Sequence, residues 1–294
     1  MRLLRCSTAP RIWAALTPNL PRRTPTTPPL TTRFKLLALD LDGTILDLHL
    51  NLDQRDVDAL HRIIAAGVNV IACTGRPFPG AVPWVKRLGL DGPIVCYQGA
   101  EVRTLDGGVL LDHGIRHDLA MEVIHYAQER DLHVQAYRHD ELIVERDRPE
   151  AHIYARHAGM EIHVVGDLDQ AMGQTTPKLV IVATPQRIEA VLPEARRRWA
   201  GQLNVATSVP EYLEFTSVES DKATALQFLC GRLGVAQAEA VAVGDGRNDA
   251  SMIEWAGLGV AIEGSPPEVI EAADRTIPGP GRGGIQKLAE ALLQ

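Results

Sequence analysis

The chain has 294 residues, a net charge of −7 and 45% hydrophobic residues, enough for one large domain or two modest ones with real cores and too apolar for a disordered chain. Its first 33 residues hold six Arg and no Asp, Glu or Lys, so the rest is more acidic than the total suggests, which argues against a nucleic-acid-binding surface. No apolar run reaches ~18 residues, so no membrane span is expected; the cysteines Cys6, Cys73, Cys96 and Cys230 are widely spaced, without a disulfide or zinc pattern.

Residues 1–33 are rich in Arg, Thr and Pro, and repeated X-Pro steps disfavour helix. They read as a disordered or targeting extension. An Arg-rich, acid-free segment is similar to an organelle transit peptide. The scarcity of Lys against Arg throughout the chain fits equally a start assigned too far upstream in a GC-rich coding sequence. A cytoplasmic location is expected, with an organelle stroma or matrix as the alternative.

The organising stretch follows. Leu36 to Leu39, with Leu41, is the near-continuous apolar run of a parallel strand buried on both faces. It ends in Asp40-Leu41-Asp42-Gly43-Thr44. Two carboxylates two residues apart point the same way in extended geometry, and the glycine lets the backbone turn close to a ligand. Asp53 to Ala66 then reads as an amphipathic helix with Val57, Leu60 and Ile64 on its apolar face. Val68 to Cys73 is a second buried strand, closed by Thr74-Gly75-Arg76, and a helix from Ala81 to Leu88 leads to a strand from Pro93 to Tyr97 and then Gln98-Gly99-Ala100.

Between about 102 and 209 the pattern changes. Leu132, Val134 and Ala136 alternate with polar residues, as does Leu142 to Glu145, which suits an antiparallel sheet with one solvated face. Helices are expected at Leu119 to Arg130 and at Arg187 to Trp199, the second kinked at Pro193 unless it starts there, and a strand at Lys178 to Ala183. Most of the ten His lie between His113 and His163, without the spacing of a zinc site, and read as surface residues. Among His133, Tyr137 and His139, which alternate around a strand and hairpin, one is a candidate for substrate contact.

The α/β pattern resumes with a strand from Tyr212 to Thr216. Lys222 opens a helix with Ala225, Leu226, Leu229 and Leu233 on its buried face and Gly234 at its end. A Lys there opposes the helix dipole, so its placement calls for a partner. Ala240 to Val243 is another buried strand, followed by Gly244-Asp245-Gly246-Arg247-Asn248-Asp249, a turn offering hard oxygen ligands. A strand at Gly259 to Ile262 and helices at Pro266 to Ala273 and Gly284 to Leu293 complete the chain.

Four of these stretches, in this order, resemble the motifs of the haloacid dehalogenase (HAD) superfamily, in its Cof-like sugar-phosphatase branch with a large α+β cap. The resemblance implies a doubly wound, Rossmann-like parallel-sheet core at 34–101 and 210–294, with an inserted α+β cap at 102–209 that closes over the site. It implies Asp40 as the nucleophile that becomes aspartyl-phosphate and Asp42 as general acid and base. Thr74, Gly75, Lys222 and Asn248 then bind the phosphoryl group. Mg²⁺ is held by Asp40, Asp42 (through its main-chain carbonyl), Asp245 and Asp249. The chemistry suits the residue types: an Asp carboxylate is a known phosphoryl acceptor, and a neighbouring carboxyl can protonate the leaving alkoxide. Three positions depart from the family pattern: Gln98 where Asn is usual, Ala223 after the lysine where Gly is usual, and Glu263-Gly264-Ser265 in place of Gly-Asn-Ala. The expected reaction is Mg²⁺-dependent hydrolysis of a small phosphate monoester, a sugar phosphate or similar metabolite, with neither nucleic acid nor membrane as partner. A phosphomutase, or a non-catalytic ligand-binding protein on the same fold, remains as the alternative.

Overall fold

The computed structural model describes residues 33–207 and 209–293; the expected extension at 1–33 lies outside them except for Arg33. The chain first runs through β1 (Leu36–Leu39), α1 (Gln54–Ala65), β2 (Asn69–Cys73), α2 (Phe78–Arg87) and β3 (Ile94–Cys96). It then turns back through β4 (Glu101–Arg103) and β5 (Val109–Asp112). A second module follows: β6 (Ile115–Arg116), α3 (His117–Glu129), β7 (His133–Arg138), β8 (Glu141–Val144), α4 (Pro149–Ala158), β9 (Ile162–Val164) and α5 (Leu168–Ala171). It continues through β10 (Thr175–Thr176), β11 (Leu179–Val182), α6 (Pro185–Arg198), β12 (Leu203–Ala206) and β13 (Tyr212–Ser217). The last segment comprises α7 (Lys222–Leu233), β14 (Ala240–Gly244), α8 (Ala250–Trp255), β15 (Leu258–Ile262), α9 (Pro267–Ala272), β16 (Arg275–Ile277) and α10 (Gly284–Leu292).

One eight-stranded sheet has the order β16-β15-β14-β1-β2-β3-β4-β5, parallel as far as β3 and antiparallel beyond it. Strand β1 shows why the run is apolar throughout. Leu37 and Leu39 pack into one cluster with Val57 and Leu60 of α1, Val85 of α2 and Leu288 of α10, whereas Leu36 and Ala38 pack against Leu226 and Leu229 of α7 and Met252 of α8. Helices on both faces leave no solvated side, and each fully buried Leu contributes about 1.5–3 kcal/mol. This is the doubly wound arrangement expected. In α1 Ile63 is fully buried together with Leu60, while Ile64 is only partly covered.

The register positions the chemistry. Leu39 lies opposite Val243 on one side and Ala72 on the other, so Asp40, Asp245 and Thr74 all leave the sheet at one carboxyl edge. That edge is where open parallel sheets take ligands.

The inserted module is an α+β cap built on a six-stranded sheet of order β12-β13-β11-β7-β8-β9. Helices α3 and α6 cover one face through Val123, Ile124, Ile188 and Trp199, which pack on Val134, Ala136, Leu179 and Phe215. From the other face Tyr137, Val180, Val182 and Tyr212 join the cluster that runs into the core.

Two sequence expectations are corrected. Strand β13, read as the first strand of the resumed core, pairs antiparallel with β11 and β12 and belongs to the cap sheet. Conversely, β4 and β5 belong to the core sheet, so the change of sheet falls after Asp112 and after Ser217 instead of at 102 and 209. Both errors have one cause. An alternating or apolar strand carries no signal of which sheet it joins, and that choice is made by pairing over long range. Helix α6 spans Pro185–Arg198 with Pro193 inside it, so it does not start at that proline; one lost backbone bond is offset by the packing of Ile188 and Ala195 on the cap core.

Candidate active site

Asp40 follows β1 and is 5% exposed. Its Oδ1 accepts from Lys222 Nζ at 2.8 Å, and the same ammonium donates to Asp249 Oδ1 at 2.5 Å. The lysine, first residue of α7, is wholly buried, and these two carboxylates are the partners its position demanded. The N-cap of α7 is Asp221, which accepts from the N–H groups of Ala223 and Thr224 and from Ser251 Oγ. That carboxylate holds the helix start in place and offsets the cost of a cation there.

Glycine is required at position 43. Its φ is +78°, and a Cβ there would lie 2.2 Å from Asp245 Oδ2. The bare backbone lets the turn after β1 press against the turn after β14, where Thr44 Oγ1 donates to Asp245 Oδ1 at 2.9 Å. Asp249 is fixed from within its own turn, its Oδ2 accepting from the N–H groups of Asp245 at 3.1 Å and Gly246 at 2.9 Å.

Asp40, Asp245 and Asp249 each present a carboxylate oxygen within 4.8 Å of the others. Three carboxylates and one ammonium leave excess negative charge in a largely buried place, and an all-oxygen donor set fits a hard divalent cation. The strain appears in the protonation of the cluster. Burial, and then the Asp249 carboxylate, push Asp40 well above its usual range against the opposing pull of Lys222. Burial foremost pushes Asp245 up to about 6.

A prediction about stability follows from Asp245. A carboxyl whose folded pKa lies above its unfolded value contributes stability below the unfolded value and loses it as pH rises through the folded one. For Asp245 that window runs from 3.8 to about 6. In chelator, the protein is therefore expected to lose stability relative to Asp245→Asn as pH is raised across it, and Mg²⁺ is expected to cancel the loss. Paired thermal melts at pH 4 and pH 6.5 test this, and a relative gain with rising pH in chelator would contradict it.

The Asp42 carboxylate stands outside this cluster. It is held by Arg76, with Nε–Oδ2 at 2.7 Å and Nη2–Oδ1 at 2.5 Å, and is about half exposed. Thr74 is fully buried, its Oγ1 accepting from the Arg76 N–H. A cavity of about 610 Å³ opens at this edge, and of the residues expected at the site Asp40, Asp42, Gly75, Asp245, Asn248 and Asp249 line it. Thr74 and Lys222 are not part of its lining.

The cap supplies the other wall through Tyr154, His157, Lys178, Tyr212 and Glu214. None of these was found from sequence, and the three expected candidates fall elsewhere. Tyr137 is buried and spends its hydroxyl on that of Tyr154 at 2.6 Å, His133 is buried beside Gln135, and His139 is not part of the lining. The contacts that tie cap to core include Gln98 Nε2 donating to Glu214 Oε2 at 3.2 Å, a bidentate pair of Arg103 with Asp140 at 3.1 Å, and Thr175 Oγ1 donating to Asp112 Oδ2 at 3.0 Å.

The sequence profile of the haloacid dehalogenase-like hydrolases matches residues 37–288. The chain belongs to that family. It is 30% identical over 256 residues to a Bacillus subtilis protein named "Putative phosphatase YxeH", covering 82% of this chain and 92% of that one. It is 26% identical over 236 residues to the HMP-PP phosphatase of Serratia proteamaculans, covering 80% and 86%. Among solved structures, TM0651 from Thermotoga maritima aligns with a TM-score of 0.81 and 30% identity over 88% of this chain and 97% of that one. A haloacid dehalogenase-like hydrolase from Bacteroides thetaiotaomicron aligns at 0.80 and 28% over 88% and 99%. This HAD hydrolase is a phosphoric monoester hydrolase of the Cof-like branch, and its acidic cluster, lysine and cap stand around one cavity.

Proposed function

We propose that the protein hydrolyses a small phosphate monoester with Mg²⁺ through an aspartyl-phosphate on Asp40. The observation that carries this reading is Asp40 itself: a carboxylate at the strand edge, gripped by a buried lysine, clustered with Asp245 and Asp249, and facing a cavity roofed by the cap. Asp40, Asp245, Asp249 and the main-chain carbonyl of Asp42 would hold the cation, which would neutralise charge on the phosphoryl group when bound.

Asp40 forms a bond to phosphorus as the bond to the ester oxygen breaks, and Asp42 gives its proton to the departing alkoxide. Asp42, now a carboxylate, takes a proton from the water that attacks the aspartyl-phosphate, which releases inorganic phosphate and regenerates Asp40. To reach the leaving oxygen, Asp42 must exchange its bonds to Arg76 for the substrate. Lys222 compensates the charge on Asp40 throughout, while Gly75 and Asn248 border the space for the phosphoryl oxygens. Positioning and electrostatics carry most of the acceleration in such transfers.

The test is phosphate release from sugar phosphates, nucleotides, flavin mononucleotide and pyridoxal phosphate, with Mg²⁺ and with chelator. Metal-dependent release from one or a few of them is the expected result. Release that is indifferent to chelator would overturn the metal assignment, and folded protein inert towards every ester would overturn the reaction.

A further inference from the structure

The turn that follows β3 is strained, and the strain has a direction. Tyr97 and Gln98 take positive φ, +51° and +59°, a region that side-chain-bearing residues enter rarely even one at a time. Such backbone persists only where its surroundings over-determine it. Two parts of the candidate active site hold this turn. The Tyr97 N–H donates to the Arg76 carbonyl at 2.9 Å and the Gln98 N–H to the Thr74 carbonyl at 3.1 Å, which laces it to the loop after β2. Gly99 then lies against the start of α7, where a Cβ would come within 2.3 Å of the Asp221 carbonyl oxygen.

Held by the core in this way, both side chains reach the cap. The Tyr97 ring meets that of Tyr137 edge to face, with centroids 5.1 Å apart. Gln98 Nε2 donates to Glu214 Oε2 at 3.2 Å. From there the contacts return. Glu214 Oε1 pairs with Lys178 Nζ at 2.8 Å, Lys178 hydrogen-bonds the Tyr154 hydroxyl, and that hydroxyl bonds the one of Tyr137 at 2.6 Å. The circuit closes on the ring that Tyr97 touches. Lys178 serves one oxygen of an almost fully buried carboxylate, and an amide from the core serves the other.

Position 98 also borders the space assigned to the phosphoryl oxygens. A Cβ at Gly75 would lie 3.3 Å from Gln98 Cγ and 3.7 Å from Asn248 Nδ2, so the Gln98 side chain passes over Gly75 beside Asn248 on its way to the cap. Length matters here. The Asn usual in the family is one methylene shorter, and at 3.2 Å the bond to Glu214 already stands at the long end of the hydrogen-bond range. An Asn on this backbone would fall short of the cap.

We infer that Gln98 is a positioning residue for the reaction: its carboxamide, aimed by the left-handed turn and anchored on Glu214, seats the cap over the phosphoryl site. The inference rests on the phosphatase reading above. Core and cap each supply part of the cavity wall, so a cap out of register leaves a bound ester misaligned with Asp40.

An exchanged pair of substitutions tests it, with steady-state kinetics on the best ester and thermal melts on the same preparations. Gln98→Glu sets a carboxylate against that of Glu214 and is expected to lower kcat/KM by about 100-fold, in kcat as well as KM. Adding Glu214→Gln reverses the donor and the acceptor and leaves one carboxylate beside Lys178. It is expected to bring kcat/KM back to within about fivefold of the unmodified enzyme. If the carboxylate at 98 acted by repelling the phosphoryl group, the exchange would not help. Gln98→Asn adds no charge and keeps the test open should Gln98→Glu fail to fold; it is expected to lose about tenfold in kcat/KM with an unchanged melting temperature. A merely structural Gln98 would lower rate and melting temperature together. Unchanged rates in either Gln98 variant, or no gain in the exchanged pair over Gln98→Glu, would overturn the role. If the unmodified enzyme hydrolyses esters in that case, the phosphatase reading stands alone; if it hydrolyses none, both fall.

Discussion

Replacing Asp40 with Asn is expected to reduce phosphate release by on the order of 10⁴-fold or more while leaving the fold intact. The amide keeps the shape of the carboxylate but cannot form an acyl phosphate. Folding survives because burial and the Asp249 carboxylate already push Asp40 towards its neutral form. A neutral side chain removes that cost, and Lys222 keeps Asp249 as its partner at 2.5 Å. In chelator the variant should therefore melt no lower than the parent. Steady-state rates and thermal melts on the same preparation separate the two effects. Near-normal turnover by Asp40→Asn would remove the nucleophile assignment.

The second large effect is expected at Lys222, where one side chain serves both stability and chemistry. Lys222→Met leaves Asp40 and Asp249 buried without their shared counter-ion. Stripping one partner from a buried ion pair costs about 3–5 kcal/mol, because the remaining charge has lost both water and partner. Protonation can relieve such a charge, so the loss in chelator should be largest near pH 7.5 and smaller near pH 5. Mg²⁺ should recover part of the stability by taking the place of the missing charge. It should not recover the rate, which is expected to stay about 10³-fold down for want of a fixed cation at the transferring group. Chemical denaturation at both pH values checks the first part and kcat at saturating Mg²⁺ the second. A variant as stable as the parent at pH 7.5 in chelator would mean that Lys222 does not neutralise the cluster.

The parts of this site legible in the sequence are those written locally. Asp40 stands at the end of a doubly buried strand, Asp245 and Asp249 stand in a glycine-bearing turn after another, and Lys222 stands at a helix start where a cation is out of place. Each signal spans a few residues, and the parallel register then brings them to one edge without further instruction. Thr44, inside the first motif, was given no role, yet its hydroxyl holds Asp245. Its place one residue after Gly43 was the available clue.

The cap wall was not legible, for a physical reason. Lys178 and Glu214 are 36 positions apart and meet only because β11 pairs with β13, a strand whose composition suited the core equally well. The Arg76–Asp42 and Gln98–Glu214 contacts likewise join residues whose proximity depends on how turns and sheets face each other. Periodicity reports which face of a strand is buried; it carries no information about what that face meets.

The covalent step at Asp40 is tested most directly by trapping. Asp42→Asn should slow the attack of water on the aspartyl-phosphate and let it accumulate. Acid quench during a single turnover, reduction with borohydride and mass spectrometry of the peptides should then reveal homoserine at position 40. Turnover with no adduct at residue 40, or an adduct on another side chain, would contradict Asp40 as the nucleophile.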